Sequence, residues 1–335
     1  MASAYLDTPH IRVKLHSERL IVLAPKTEAD PNRVLQEIHL QELERVTLNE
    51  HVQITTEAVA ELLKHRVALN YVDFRGQLLG QTLPGPGADA ASRMRQYQRS
   101  QEESFGLAMS RRILAAKIQN QLRLLQRANA YRNQITGEEF DRLRALLTKT
   151  ESVGDLAGMR GFEGAASALY FELWARYLPA EFPMERRSSH PPHNAVNACL
   201  SYGATFIYYE LVANLHGCGL DPGLGHLHVT DNTRWSLALD LMEPFRPAVV
   251  EALTLRLFTL GILSAGDFEP HDQGVYLNPA GRKKFIAELE KKLERPFLSD
   301  QLGHRTTLRQ QLREQATGYK AALEKPEEFQ PFRLN

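Results

Sequence analysis

The segment Leu83 to Gly87, LPGPG, can continue neither a strand nor a helix, and the hydrophobic pattern has a different period on its two sides. Upstream, Ile11, Val13 and Leu15 alternate with Arg12, Lys14 and His16, and Leu20 to Leu23 is a compact apolar run that ends before Pro25. A period of two is that of a half-buried strand. Leu43 to Leu48, His51 to Ile54 and Val67 to Val72 read as further strands, interrupted by one helix from Thr56 with Val59, Leu62 and Leu63 on one face. Downstream, Met94 to Asn129 contains no Pro and only Gly106, and sets Ile113, Leu114, Ile118, Leu122 and Leu125 at helical spacing. That spacing predicts one long helix. Thr136 and Glu139 predict a capping box for the next one, and the pattern stays helical to Leu323, punctuated by Pro179, Pro183, Pro191, Pro192 and Pro222. The expected fold class is α+β with two domains: a small N-terminal β-rich domain over 1–85, a linker over 86–93, and a large all-α C-terminal catalytic domain over 94–335. The β-rich part carries no catalytic cluster, which points to dimerisation or scaffolding.

A chain of 335 residues is long enough for two cores. No apolar run approaches the roughly 18 to 20 residues of a membrane span, and Asp7, Arg12 and Lys14 break any signal-peptide pattern, so no membrane partner and a cytoplasmic location are expected. Cys199 and Cys218 form no metal or redox motif and read as small buried apolar residues. The net charge of zero excludes a protein that coats nucleic acid by bulk charge alone, yet the average hides a stripe. Residues 86–150 hold 12 Lys and Arg against 6 acids, whereas 151–250 hold 6 against 11. A polyanion held beside a cation-binding acidic site would use that order; solvated helix faces produce it too. Lys117, Arg123 and Arg127 lie in the basic segment.

Four clusters carry polar groups that chemistry would use. Glu163 is flanked by Gly164, Ala165 and Ala166, which leave it uncovered, and Tyr170 shares its face two turns on. Its plain alternative is a surface acid facing the helix dipole. Arg186 and Arg187 precede a Pro pair and an apolar helix with Asn194 and Asn197, a setting for a phosphate clamp or a solvated loop; His190 and His193 read as capping or surface residues. His226 and His228 form an HxH pair that would share one side of an extended segment, though a lone His beside apolar residues is more often a hydrogen-bonded structural one. Asp240 and Glu243 interrupt the apolar SLALDLMEPFRP; buried carboxylates need a partner, with Arg246 the plain one and a divalent cation the sharper one. One His with two or three carboxylates suits Mg²⁺ or Mn²⁺. Nucleotide-loop, structural-zinc and nucleophile-elbow motifs are lacking in the sequence, so phosphodiester chemistry leads.

Six segments in order, AAKIQNQLRLL (115–125), RGFEGAASALYF, RRSSHPPHNAVNACLSYG, GCGLDPGLGHLH, SLALDLMEPFRP and GVYLNPAGRKKFI (274–286), resemble the CRISPR-associated adaptation integrase family. The resemblance implies an N-terminal β-domain, a linker and a helical domain, assembled as a homodimer with a small ferredoxin-like second subunit on double-stranded DNA. It implies metal-binding and catalytic roles for Glu163, His228 and Asp240, with Glu243 and Tyr170 supporting them, and strand transfer by a 3′-OH. Duplex DNA would then lie along Lys117, Arg123, Arg127, Arg186 and Arg187. His226 and Val229 depart from the family's usual residues around the His. A DNA-binding scaffold without chemistry and a hydrolase of small phosphoesters are the competing readings.

Overall fold

The computed structural model describes residues 2–26, 32–73, 78–85, 89–189, 191–230 and 233–335. They gather into two compact units, Met1–Ala88 and Asp89–Asn335. The first runs β1 (Ala2–Leu6), β2 (Arg12–His16), β3 (Arg19–Leu23), β4 (Val34–His39), β5 (Leu43–Asn49), β6 (Gln53–Ile54), α1 (Thr56–Lys64), β7 (Ala68–Val72) and β8 (Leu78–Thr82). The alternation around Ile11 becomes a hairpin in which Val13 faces Val22 and Leu15 faces Leu20. β4 pairs antiparallel with β3, and β6 pairs parallel with β2. In a second sheet β1, β5 and β7 are parallel and β8 turns back along β7. Ala58 and Leu62 of α1 close a core with Val13, Leu20, Val22, Val46, Leu48 and Leu69.

The second unit runs α2 (Ala90–Ser100), α3 (Glu103–Arg132), α4 (Gly137–Lys149), α5 (Leu156–Ala175), α6 (Ala195–Gly217), α7 (Ser236–Met242), a π turn (Pro247–Glu251) and α8 (Ala252–Thr259). β9 (Phe268–His271), β10 (Gly274–Leu277), α9 (Pro279–Glu294), β11 (Phe297–Leu298), β12 (Arg305–Thr306) and α10 (Leu308–Ala322) complete it. α3 is the central rod. Its Phe105, Met109, Ile113, Ile118 and Leu125 are buried, α4, α5, α7 and the π turn pack on it, and even its polar Lys117, Asn120 and Gln121 are covered. The capping box between Thr136 and Glu139 starts α4 as the sequence predicts. No helix among the described residues is long and apolar enough to cross a membrane.

Several expectations change. The predicted helix from Met94 is two helices, broken at Gln101 and Glu102 with no Pro or Gly to mark the place. The break frees α2 to anchor elsewhere: the Gln96 amide donates to the Asp221 carbonyl (2.8 Å) and accepts from the Asp221 N–H (2.8 Å). Residues 90–93 of the expected linker are helix, capped by Asp89, and 86–88 lie outside the described residues, as does His190. The C-terminal part is largely helical but not all-α. β9 and β10 form a hairpin turned at Asp272, which has φ +51°, and β11 pairs with β12. Cys199 is buried as expected, and Cys218 is half-buried.

The stretch from Glu324 to Asn335 is docked on the helical unit. Phe332 stacks on Phe245 with ring centroids 4.5 Å apart and planes 9° from parallel. Asn120 donates to the carbonyls of Pro244 and Phe332 and accepts from the Leu334 N–H, tying α3, the end of α7 and the tail together. Phe332 is 2% exposed. Phe332→Ala is therefore expected to cost the helical unit about 3–5 kcal/mol in chemical denaturation; a loss below about 1 kcal/mol would show that the tail is not part of the core.

Candidate functional site

Asp240 lies fully buried in α7, and the loop before it is wound onto its carboxylate. Oδ2 accepts the N–H groups of His226 (2.5 Å) and Leu227 (3.0 Å). Oδ1 accepts the N–H of His228 (2.8 Å) and its Nδ1–H (2.7 Å). Four donors satisfy both oxygens, each bond to a charged acceptor worth about 1.5–3 kcal/mol. Gly225 permits the winding, since a Cβ there would lie 2.6 Å from the Ser236 carbonyl carbon. The N–H of Leu237 reaches back to the Pro222 carbonyl (2.9 Å) and so closes the other end of the loop.

This arrangement gives His228 a defined tautomer. With Nδ1–H on Asp240, the lone pair of Nε2 is left for a ligand. Burial opposes the imidazolium, but the hydrogen bond and charge of Asp240, with Glu243 behind, outweigh it and raise the pKa above the ordinary histidine value. His226 goes elsewhere. The loop is not extended, and His226 Nε2 meets the buried Tyr319 hydroxyl at 2.8 Å, so the two imidazoles do not form a pair of ligands. Burial lowers the His226 pKa.

Three helices bring the remaining charges together. Lys117 of α3 lies between Glu163 of α5, which its ammonium contacts directly, and Glu243 at the end of α7, whose Oε2 is 2.6 Å away. Their side chains are 4%, 26% and 2% exposed respectively, so only Glu163 reaches solvent to any extent. Glu163 also accepts from Ser167 Oγ one turn on (2.9 Å), and Glu243 Oε1 accepts from Arg246 (3.1 Å). Glu243 Oε2 is buried and is compensated by the Lys117 ammonium 2.6 Å away. Burial would push the Glu243 carboxyl up, yet Lys117, Arg246 and His228 hold it far below the usual carboxylate range. Burial likewise disfavours the Lys117 ammonium, and the carboxylates of Glu243 and Glu163 overcome this and raise its pKa.

Tyr170, expected to support Glu163, turns inward and donates to Glu251 Oε2 at 2.6 Å. Glu251 ends the π turn, a distortion that recurs at functional sites. Burial raises its pKa against the pull of Arg246. Tyr170 thus belongs to a polar layer behind the acids.

The basic residues expected on DNA are placed differently. Lys117 is buried in its ion pairs. Arg187 holds Asn197 (3.0 Å) and Ser201 (3.1 Å), and burial lowers its pKa to about 10. Arg123 and Arg127 are exposed but both donate to the Asn335 main-chain oxygen (2.5 and 2.7 Å). Arg186 is exposed, as is His193. One basic residue was missed: Arg160 is exposed, lies one turn before Glu163, and reaches the Leu227 carbonyl of the His228 loop at 3.5 Å. Its spacing of three from Glu163 was the available signal. Gly161, after Arg160, and Gly164, after Glu163, face open space, which leaves the surface of α5 bare there.

Glu163, Glu243 and His228 Nε2 offer hard oxygen and nitrogen donors of the kind that suit Mg²⁺ or Mn²⁺, and a buried Glu243 oxygen that already faces an ammonium fits a cation. Asp240 fits less well, because its lone pairs are taken by the loop. Among the described residues no three His, Cys, Asp or Glu side chains lie together closely enough to hold a metal as they stand. The cation between the two acids is Lys117.

The chain matches the family model described as CRISPR associated protein Cas1 over residues 4–291. It is 32% identical to a CRISPR-associated endonuclease Cas1 of Thermus thermophilus, over 88% of this chain and 89% of that protein. It is 32% identical to a CRISPR-associated exonuclease Cas4/endonuclease Cas1 fusion of Rhodospirillum rubrum, over 93% of this chain and 54% of the fusion, so it spans about half the length of that relative. A chain of a solved Cas6-RT-Cas1–Cas2 complex superposes with a TM-score of 0.81 at 25% identity, over 100% of this chain and 36% of that one. With most of its length matched by one family model, the chain belongs to the Cas1 family of CRISPR-associated proteins.

Proposed function

We propose that this chain is a metal-dependent DNA endonuclease and integrase of CRISPR adaptation, joining the 3′-OH of an incoming DNA to a phosphodiester of the repeat. The observation that carries the reading is the pair of carboxylates, Glu163 and Glu243, gathered at one cation position in a chain of the Cas1 family. Curated relatives carry the name endonuclease, which agrees with it. In strand transfer a new O3′–P bond forms as the repeat's O3′–P bond breaks, and the proton of the attacking hydroxyl passes to the departing one through solvent. The number of phosphodiesters is unchanged, so no external energy source is needed.

Glu163, Glu243 and His228 Nε2 would hold Mg²⁺ or Mn²⁺. The metal supplies a Lewis acid at the scissile phosphate and stabilises negative charge on its oxygens. Asp240 orients His228 and fixes the loop, acting through the imidazole instead of on substrate. Arg160 and Arg186 bind phosphates beside the bare surface of α5, where Gly161 and Gly164 let a DNA backbone approach. The working assembly contains a second copy of the chain and the small ferredoxin-like second subunit; the Cas1–Cas2 complex among the structural neighbours supports that partner. The location is the cytoplasm, where the genomic array is.

Three outcomes follow for purified protein with Mn²⁺, a 3′-OH duplex and a repeat-bearing plasmid. Glu163→Gln and Glu243→Gln each lower strand transfer by at least about 100-fold while the fold is retained; rates equal to wild type would favour a DNA-binding scaffold. Asp240→Asn places an amide N–H₂ against backbone donors, so it is expected to lower stability by about 1–3 kcal/mol as well as activity, and full thermal stability would contradict the loop-holding role. Arg160→Ala reduces the slope of log K against log salt for duplex binding by about one; an unchanged slope removes Arg160 from the DNA surface.

A further inference from the structure

Lys117 is hard to explain as packing. A lysine 4% exposed in the central helix loses its hydration, and α3 could have filled the position with an apolar residue, as at Ile113 and Ile118 on either side. Its ammonium contacts Glu163 and approaches Glu243 Oε2 to 2.6 Å, the two acids named above as metal ligands. Arg246 contacts the far oxygen of Glu243, so two cations already face these two carboxylates, with Glu251 also acting on Arg246. A divalent cation bridging the same two acids would need the space that the ammonium fills, and would face Lys117 and Arg246 as like charges.

From this geometry we infer that Lys117 is a built-in competitor for the divalent metal: its ammonium occupies the position between Glu163 and Glu243 in the resting protein, and metal loading requires it to withdraw. The inference rests on the reading of Glu163, Glu243 and His228 as ligands. It makes Lys117 a positioning residue that sets how readily the site loads. The two acids are thereby compensated by side chains of the helical unit itself.

The test is Mn²⁺ binding to the full chain, followed by calorimetry and by the electron paramagnetic resonance signal of free Mn²⁺, with no DNA and no turnover. Lys117→Met is expected to tighten Mn²⁺ binding by about tenfold or more, and to unfold at a lower temperature without metal yet recover more than wild type when Mn²⁺ is added. Lys117→Arg keeps the charge and is expected to bind as weakly as wild type. Should Lys117→Met fail to fold, Lys117→Gln removes the charge while retaining a donor for the acids, and it is held to the same expectation. If wild type binds Mn²⁺ and the neutral variants bind it equally or more weakly, the competitor role is overturned while the ligand assignment stands. If Glu163→Gln and Glu243→Gln leave Mn²⁺ binding intact, or wild type and all variants bind none, the ligand assignment falls and the inference falls with it.

Discussion

A carboxylate that is 2% exposed cannot keep its charge in a protein interior unless cations surround it, and Glu243 keeps its charge. Much of the helical unit is arranged around that constraint. α3 must pass through the centre to bring Lys117, the π turn must follow α7 closely enough for Arg246 to reach back, and α5 must present Glu163 to the other side of the ammonium. Asn120, one turn beyond Lys117, then ties α3 to the residue after Glu243 and to the docked tail. Packing and electrostatics thus specify the same helix positions.

Asp240 and Glu243 are one turn apart in the same apolar helix, yet their environments give them different work. Asp240 is surrounded by N–H donors from a single loop and sets the tautomer of His228. Glu243 is surrounded by the cations Lys117 and Arg246. An acid whose lone pairs are filled by backbone shapes the site; an acid that faces cations sits where another cation could be held. Asp240 was expected as the metal ligand; the function proposed above gives that place to Glu243 instead, on the difference in what surrounds the two carboxylates.

Strands whose alternation extends over five residues were legible, as at Ile11 to Leu23, and so were helix starts with a side-chain cap, as at Thr136. The hairpin at Phe268 to Leu277 was not, because four-residue strands carry too few positions for a period and the turn depends on one Asp with positive φ. Nor was the π turn, whose residues read as ordinary helix. At the site, Glu163 and His228 stood out from their uncovered or motif-bearing neighbourhoods. Lys117 was visible but misjudged: a lysine in a basic segment suggested DNA, although its spacing of four from Ile113 and three from Leu114 puts it on the apolar stripe, where a charge implies a buried partner. Charge composition could not show that Arg187 holds Asn197, or that Arg123 and Arg127 reach the Asn335 main-chain oxygen from exposed positions.

The central claim is that the cation position between Glu163 and Glu243, beside His228, is the metal site. Anomalous diffraction from crystals of the protein grown with Mn²⁺ tests it most directly. The account predicts one Mn²⁺ bound by Glu163, Glu243 and His228 Nε2, with the Lys117 ammonium moved away and Asp240 still holding the loop. A Mn²⁺ bound to Asp240, with Lys117 still bridging the two glutamates, would contradict it.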